Sequence, residues 1–340
     1  MILVTGGAGY IGAVLVKELL KKGISVRIFD KLYFGKKPLE EFRDKIDLVQ
    51  GDIRNFDRAI LDGIDAVAHL AGLSNDPTAE FNPVANMEMN AKGTAELATV
   101  CKEKGIQKFT YASSCSIYDQ GLFAEDIIQD ENAPVQPRAV YAISKYEGEK
   151  ALLELADENF CPVILRQGTV YGYSPRMRYD LVVNTFVKDA LQKGKLTVFC
   201  GGEMWRPLID IIDAAGAHIC CLEADETKIG GNIYNVSYKN YRILEVAYRV
   251  KRALEDIVDV EIDVDYSEKK TRSYRVSTKK IETELGFKPT VSIEDSARDM
   301  AHKIIDGNAA EMENPIYYNI NWMTLLVELE QTLKDIGTVF

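Results

Sequence analysis

A glycine-rich stretch near the start of the chain, VTGGAGYIGAVL, constrains the fold more than any other feature. A short β-branched run is followed at once by Gly6, Gly9 and Gly12, which open an apolar helical segment. Glycines at this position let the backbone approach a pyrophosphate, and the start of the helix offers free N–H groups and the positive end of its dipole. Because a glycine triplet can also form a simple tight turn, a second feature is needed to decide between the two interpretations.

That second feature is Asp30, which ends the next apolar run, SVRIFD. A carboxylate there can hold both hydroxyls of an adenosine ribose, and it repels the 2′-phosphate of NADP. The pattern therefore predicts NAD as the cofactor, although Arg27 and Lys31 lie nearby. Asp52 and Ile53 follow the third predicted strand, at the edge of the sheet where an adenine can lie.

The first half of the chain alternates β-branched runs with helical stretches, as a parallel sheet with crossover helices requires. The predicted strands span residues 2–5, 25–30, 47–50, 65–70, 108–113 and 162–167. The predicted helices span residues 10–22, 83–104, 139–157, 181–193, 213–224, 243–255 and 293–305. The expected fold class is α/β, with a Rossmann-type doubly wound parallel sheet in residues 1–167. A smaller C-terminal α/β substrate-binding portion is expected in residues 168–340, with some segments returning to the main sheet.

Composition and charge narrow the class of function. A net charge of −11 argues against broad binding to nucleic acid or to anionic membranes. No signal peptide and no apolar run near the length of a membrane span are visible, so a cytoplasmic location is expected. The six cysteines form no CxxC pair and the three histidines lie far apart, so reduced thiols and no metal site are expected.

The spacing Tyr-x-x-x-Lys occurs four times, and context has to separate the pairs. They are Tyr33/Lys37, Tyr141/Lys145, Tyr146/Lys150 and Tyr266/Lys270. Tyr141 and Lys145 begin a predicted helix just after a long loop, near the carboxyl ends of the strands where ligands bind, and they share one face of that helix. Tyr146 and Lys150 lie about 140° around the same helix. Tyr141 and Lys145 are therefore the predicted pair that faces the cofactor.

In their order and separations, several motifs resemble the extended short-chain dehydrogenase/reductase family, particularly its NAD-dependent nucleotide-sugar epimerases and dehydratases. The motifs are TGGAGYIG, Asp30, GDIR, HLAG, NAKGT, YASSCSIYD, YAISK and LRQGTVYG. The resemblance implies Tyr141 as a proton-transferring base, Lys145 as the group that holds the nicotinamide ribose and lowers the Tyr141 pKa, and Ser114 as their hydroxyl partner. It also implies a homodimer built from the helices near 83–104 and 139–157.

Cofactor contacts are expected from the glycine loop, the acidic strand ends and the motifs of the resemblance. These contacts are Gly6, Gly9, Tyr10, Ile11, Gly12, Asp30, Asp52, Ile53, Leu70, Ala71, Gly72, Asn90, Tyr141 and Lys145. A free tyrosine titrates near about 10, so an adjacent ammonium and the nicotinium charge are needed to favour the phenolate. The phenolate is the base that oxidation of a secondary alcohol needs, with NAD taking the hydride. Two rival interpretations stay open: Tyr141 and Lys145 form only a solvated helix face, or the chain is a non-catalytic NAD-binding protein, a sensor or scaffold.

Arginines after residue 167 predict where an anionic substrate binds. The family places pyrophosphate-binding residues in regions that correspond to SPRMRYDLVVNTF and GGEMWRPLIDIID, and guanidinium groups suit phosphate geometry. The expected substrate contacts are Ser114, Thr169, Asn184, Arg206, Arg272 and Arg176. Whether Arg178 also contacts the substrate stays open, because surface arginines are usually solvated.

The residues after Ser114 bear on which reaction follows. The family's 4,6-dehydratases usually carry Asp-Glu there, whereas this chain has Cys115 and Ser116, which argues against dehydration. Some relatives that epimerise at C3 or C5 use a cysteine one position later, and a buried structural thiol is the alternative. Asp119 stands where the family usually has glycine. The leading hypothesis is a nucleoside-diphosphate-sugar 4-epimerase, and a 4-dehydrogenase or 4-ketoreductase is its close rival.

Overall fold

The computed structural model describes residues 1–119, 127–267, 272–307 and 309–337. Its strands in these ranges are β1 (Ile2–Thr5), β2 (Val26–Asp30), β3 (Ile46–Gln50), β4 (Ala66–His69), β5 (Lys108–Ser114), β6 (Ile128–Gln129), β7 (Cys161–Gln167), β8 (Thr169–Tyr171), β9 (Lys195–Phe199), β10 (Trp205–Asp210), β11 (Asn232–Val236), β12 (Lys239–Arg242), β13 (Glu261–Asp265) and β14 (Arg275–Val276). Seven of them form one parallel sheet in the order β11-β7-β5-β4-β1-β2-β3. The six predicted strands all belong to it, and the strand order reverses between β1 and β4, so the Rossmann-type doubly wound class is confirmed.

Helices cover both faces of this sheet and build the second half of the molecule. They are α1 (Tyr10–Lys21), α2 (Asp76–Phe81), α3 (Pro83–Met87), α4 (Gly93–Glu103), α5 (Val140–Leu155), α6 (Val182–Lys193), α7 (Ile211–Glu223), α8 (Glu226–Ile229), α9 (Ile243–Ala253), α10 (Lys279–Leu285), α11 (Ile293–Asp306) and α12 (Asn319–Ile336). The seven predicted helices are present. The one predicted at 83–104 is split by a π-helical turn, Glu88–Lys92, a feature that often marks functional sites.

The central strands are apolar on both faces because helices cover both sides of the sheet. Leu3 and Val4 of β1 have no exposed surface, and α1 packs Leu15 and Leu19 against the sheet. Fully burying a side chain of this size stabilises the fold by about 1.5–3 kcal/mol. The glycine loop between β1 and α1 is therefore fixed by a rigid core on both sides.

A second apolar core lies in the C-terminal part and includes Val187, Val250 and Met300. It is bounded by helices α6, α9 and α11 and by the small sheet β12-β10-β8. The chain also crosses back, because β11 pairs in parallel with β7 at the edge of the main sheet. The division of the chain at residue 167 stays a prediction.

Two further observations concern the described residues only. None of the helices there is long and apolar enough to cross a membrane. Within the same ranges, His, Cys, Asp and Glu side chains form no group of three or more that could hold a metal ion.

Candidate active site

A cleft opens at the carboxyl ends of the parallel strands, at the point where the strand order reverses. Twelve of the predicted cofactor residues line it: Gly6, Gly9, Tyr10, Ile11, Gly12, Asp30, Ile53, Leu70, Ala71, Gly72, Tyr141 and Lys145. Residues that follow β1, β3 and β4, Asp30 at the end of β2, and two residues of helix α5 are thus brought together in one place.

The glycine loop fits a dinucleotide pyrophosphate. Gly6 has φ +72°, and a Cβ there would lie 2.8 Å from the Ala71 nitrogen, so only glycine fits. A Cβ at Gly12 would overlap the Gly6 carbonyl oxygen. Gly9 begins helix α1 without a side-chain cap, and the first turn carries no acidic residue. The helix therefore presents backbone N–H groups and a positive dipole end to the cleft, where an anion is stabilised.

Asp30 stands at the end of β2 with its carboxylate oriented by the backbone. Its Oδ2 accepts a hydrogen bond from Ala8 N at 2.9 Å, and its Oδ1 accepts one from Leu32 N at 2.7 Å. Burial raises the pKa of this carboxyl group above its usual range, and the two backbone hydrogen bonds oppose that rise. Each oxygen keeps a second lone pair, so the carboxylate can still accept hydrogen bonds from two ribose hydroxyls.

Asp52 and Asn90 do not line the cleft, and their contact with the cofactor stays a prediction. Asp52 forms ion pairs with Arg54 at 2.6 Å and with Lys31 at 3.1 Å, which lower its pKa. Asn90 is fully buried in the π-helical turn, where its amide accepts from the Leu73 N–H and donates to the Leu73 carbonyl, both at 2.8 Å. The polar atoms of both side chains are paired within the protein. Their partners Lys31 and Leu73 line the cleft, so each side chain holds a neighbour of the cleft.

Tyr141 and Lys145 lie in the first turns of α5, and both face the cleft. Lys145 is 5% exposed, its Nζ donates to the Ala112 carbonyl at 2.9 Å, and burial lowers its pKa to about 8. Burial raises the pKa of Tyr141 to about 12, while the charge of Arg178 and hydrogen bonding with Ser114 lower it. Further positive charge beside the phenol is therefore needed before it can act as a base near neutral pH.

The other three Tyr-x-x-x-Lys pairs are placed differently. Tyr33 lines the cleft outside any helix. Lys150 forms an ion pair with Glu147 at the surface and lies 5.4 Å from the centroid of the Tyr146 ring. Tyr266 is 78% exposed, and Lys270 lies outside the described residues.

Ser114 ends β5 and caps the short 3₁₀ turn Cys115–Tyr118, because its Oγ accepts from Ser116 N at 3.2 Å. The Cys115 thiol is fully buried and donates to the Arg166 carbonyl at 3.0 Å. Burial raises its pKa well above the usual range. A thiol that is buried, hydrogen-bonded and neutral fits the structural interpretation of Cys115 and does not suit a proton-transferring role.

Arg206 and Arg272 lie together, as a shared substrate site requires. The Nη1 of Arg206 donates to the Arg272 carbonyl and, at 2.8 Å, to the Trp205 carbonyl. Arg272 forms an ion pair with Asp76 at 2.6 Å, and the charge of Arg272 lowers the pKa of Tyr141. The Nη1 of Arg272 is buried and has no hydrogen-bond partner among the described residues. This pair therefore offers a free guanidinium donor near the predicted base.

The remaining predicted substrate residues are dispersed; the amide of Asn184 already makes hydrogen bonds within the protein, and its contact with substrate stays a prediction. Its Oδ1 accepts from Gly172 N at 3.0 Å, and its Nδ2 donates to Tyr10 Oη and to the Arg178 carbonyl at 2.9 Å. Thr169 begins β8 and lies outside the lining of the cleft. Arg176 lines the cleft, on the side formed by the residues that follow β2.

Arg178 and Asn319 are two of the lining residues that were not assigned from the sequence. Arg178 is buried, and its guanidinium forms two hydrogen bonds to Asp180, at 3.0 and 2.9 Å. The close spacing of the arginines in SPRMRYD was the available signal for Arg178. Asn319 reaches the cleft from α12, more than 300 residues from the glycine loop, and no local pattern announces it.

Comparisons with known proteins agree with this geometry. The model of the NAD dependent epimerase/dehydratase family matches residues 2–237. A UDP-N-acetyl-alpha-D-glucosaminuronate decarboxylase of Bacillus cytotoxicus is 30% identical over 311 residues, which are 87% of this chain and 95% of the relative. A putative UDP-glucose 4-epimerase of Methanocaldococcus jannaschii is 30% identical over 229 residues, 65% of this chain and 73% of the relative.

Among solved structures, a UDP-glucuronic acid 4-epimerase from Bacillus cereus, in complex with UDP-glucuronic acid and NAD, has a TM-score of 0.77 and 26% identity. It covers 90% of this chain, and 99% of its own length is matched. A UDP-glucose 4-epimerase from Thermotoga maritima has a TM-score of 0.79 at 23% identity, with the same coverage, and this likeness supports the fold.

Proposed function

The chain belongs to the NAD-dependent epimerase/dehydratase family, and on that premise we propose that it is a nucleoside-diphosphate-sugar 4-epimerase. The cofactor is NAD. The observation that carries the proposal is the placement of Tyr141 and Lys145 in the same cleft as the glycine loop and Asp30. Relatives named as 4-epimerases of UDP-sugars support both the reaction and a uridine nucleotide as the substrate carrier.

In this proposal Tyr141 is the group that moves the proton. Its phenolate removes the proton from the sugar C4 hydroxyl, and the phenol returns a proton to the C4 oxygen when the keto sugar is reduced on its other face. Ser114 hydrogen-bonds to the reacting oxygen and to the phenol. NAD, held by the glycine loop, Asp30 and Lys145, would supply the acceptor for the C4 hydride and the donor for its return.

Lys145 and two arginines supply the positive charge that the phenolate needs. Lys145 is held by the Ala112 carbonyl and lines the same cleft, where its ammonium can hold the nicotinamide ribose. Arg178 and Arg272 already lower the pKa of Tyr141 through their charges. We assign Arg206 and Arg272 to the substrate pyrophosphate, because Arg272 keeps a buried N–H without a partner in the described part of the chain.

Two features of the assembly belong to the same proposal. We assign residues 1–167 mainly to NAD and residues 168–340 mainly to the nucleotide sugar. We also propose a homodimer built from helices α4 and α5, on whose surface Leu153 is 37% exposed. Analytical ultracentrifugation of the purified protein tests the dimer directly.

The rival is net oxidation or reduction at C4 without inversion. The purified protein is incubated with UDP-, GDP-, dTDP- and CDP-sugars, and products are followed by mass spectrometry and by absorbance of NADH. An isomer of unchanged mass without accumulation of NADH supports the epimerase. A product two mass units lighter, with NADH accumulating, establishes a dehydrogenase instead.

A further inference from the structure

Arg176 presents an unbalanced positive charge to the cofactor cleft. Its side chain is 3% exposed, and its Cζ lies 3.6 Å from the centroid of the Phe34 ring, another residue of the cleft. The nearby Asp180 carboxylate already accepts two hydrogen bonds from the Arg178 guanidinium. Two buried guanidinium groups thus share one carboxylate. Burial and the Arg178 charge accordingly lower the pKa of Arg176, which indicates that its charge lacks a partner.

The hydrogen bonds of Arg176 also indicate that its guanidinium lacks a partner. Its Nε is buried, and no group in the described part of the chain accepts a hydrogen bond from it. Its Nη2 donates to the Asn319 Oδ1 at 2.5 Å. A buried guanidinium N–H without an acceptor is costly, so an anionic ligand in the cleft would remove that cost.

The first turn of helix α12 holds Arg176 in this position. Asn319 begins α12, is 5% exposed, and donates its Nδ2 to Ser74 Oγ at 2.9 Å. One turn later, Trp322 donates its Nε1 to the Tyr33 carbonyl at 2.6 Å. Ser74, Tyr33 and Asn319 all line the cleft. The C-terminal helix thus links the loop after β2 to the loop after β4, the two loops that flank the glycine loop.

We propose that Arg176 binds the pyrophosphate of NAD and that α12, through Asn319 and Trp322, fixes Arg176 and closes the cofactor cleft. The charges of cofactor and protein are complementary. A pyrophosphate bears two negative charges, and the helix dipole at Gly9 offsets only part of them, so an additional cation is favourable. From the sequence, Arg176 is expected to contact the substrate, whereas its position beside Phe34 favours the cofactor. The inference depends on NAD as cofactor and is independent of which sugar reaction follows.

The test replaces Asn319 by aspartate, which has nearly the same shape but places a carboxylate against the Arg176 guanidinium. The purified holoenzyme is mixed with isotopically labelled NAD, and exchange of the bound cofactor is followed after rapid desalting. Because the new carboxylate neutralises Arg176, we expect Asn319→Asp to exchange NAD at least about tenfold faster than the wild type. An unchanged exchange rate would overturn the proposal, since α12 would then be a packing element only.

Two further variants distinguish a loss of positive charge from the loss of a neutral hydrogen bond. Ser74→Ala removes a partner of the Asn319 amide without changing charge, and we expect it to accelerate NAD exchange only severalfold, because one neutral hydrogen bond contributes about 0.5–1.5 kcal/mol. An acceleration as large as that of Asn319→Asp would assign the effect to the lost hydrogen bond and contradict the role given to the Arg176 charge. Arg176→Gln should accelerate exchange at least as much as Asn319→Asp. If Arg176→Gln instead weakens the binding of UDP to the NAD-loaded protein and leaves NAD exchange unchanged, the arginine serves the substrate and the proposal is wrong.

Trp322→Phe keeps an aromatic ring but loses the hydrogen bond to the Tyr33 carbonyl. It tests the closing role of α12 independently, even where Arg176→Gln does not fold. We expect severalfold faster NAD exchange from Trp322→Phe with unchanged UDP binding. Exchange at the wild-type rate in this variant would contradict the role given to α12.

Discussion

Two sides of the active-site region are built in different ways. The cofactor side, formed by Gly6, Gly9, Gly12 and Asp30, is mostly backbone, and its geometry follows from residues close together in the sequence. The proposed substrate side is formed by Arg206 and Arg272, which belong to segments far apart in the chain. The first side is rigid because it is part of the main core, whereas the second relies on the Arg272–Asp76 ion pair and on hydrogen bonds from Arg206 to carbonyl groups.

This difference has a consequence for function. A change on the cofactor side alters the backbone and should affect NAD binding for every substrate. A change on the substrate side alters one charge and should affect nucleotide-sugar binding while leaving NAD in place. Tyr141, which lies between the two sides, should affect neither binding step and should control turnover.

Tyr141→Phe should therefore have the largest effect. Removing the phenol oxygen removes the proposed proton transfer, so turnover should fall by about 10³-fold or more while NAD affinity stays close to that of the wild type. The matched control is Tyr146→Phe on the same helix, which should retain nearly full turnover. Steady-state kinetics and NAD titration check both variants, and normal turnover in Tyr141→Phe would refute its assignment as the base.

Gly6→Ala should have the next largest effect, and it breaks the cofactor side alone. The new methyl group meets the Ala71 backbone at 2.8 Å and forces a left-handed residue to carry a Cβ. We expect NAD affinity to fall by about 100-fold, measured by calorimetry.

Gly23→Ala is the control for Gly6→Ala, because Gly23 has φ +75° with no atom within 4 Å of the added Cβ. It should cost about 1 kcal/mol of stability and leave NAD affinity unchanged. Equal losses of NAD affinity in the two variants would show that backbone strain, and not the close approach at the cleft, is responsible.

Arg272→Gln probes the substrate side with a smaller effect. The variant loses a half-buried guanidinium whose buried Nη1 has no partner in the described part of the chain, and it leaves Asp76 without its ion pair. We expect the Kd for UDP to rise by about 30-fold and the Kd for NAD to stay unchanged. Arg249→Gln removes an arginine paired with Glu245 and Glu294, away from the cleft, and should change neither value. A loss of NAD affinity in Arg272→Gln would erase the distinction between the two sides.

The smallest effect concerns His218, whose two ring nitrogens lie 2.8 Å from Thr110 Oγ1 and 3.0 Å from Gln167 Nε2. Burial lowers its pKa to about 3 in the folded protein. The unfolded chain, with a pKa near about 6.5, binds more protons between these values, so stability falls as the pH falls. From pH 7 to pH 5.5 the wild type should lose about 1 kcal/mol more unfolding free energy than His218→Gln. Urea unfolding at both pH values measures this, and identical losses would contradict a neutral buried histidine.

Local patterns predicted that the glycine loop and Asp30 meet in one cleft, because they adjoin strands whose apolar runs fix their positions. The same holds for Tyr141 and Lys145, which one helical turn places on one face. The sequence did not show that the amides of Asn184 and Asn90 are hydrogen-bonded inside the protein, at Tyr10 and Leu73. Hydrogen bonds between residues so far apart in the chain are set by tertiary packing and leave no periodic signal.

Helix α12 shows the same limit. Its first residue reaches the cleft after a connecting segment in which Glu311 pairs with Lys37 and Tyr317 O accepts from Tyr179 N. The sequence around Asn319 resembles an ordinary surface helix, with Val327, Leu329 and Leu333 exposed. Tertiary packing, and not a local sequence pattern, places Asn319 at the cleft.

The most direct test of reversible oxidation at C4 uses a UDP-hexose that carries deuterium at C4. After incubation with the holoenzyme, the product is isolated and examined by proton NMR and mass spectrometry. We predict an isomer inverted at C4 that keeps its deuterium at C4, with no deuterium entering or leaving from solvent. Product in which C4 is unchanged and a proton at C3 or C5 has exchanged with solvent would contradict oxidation at C4.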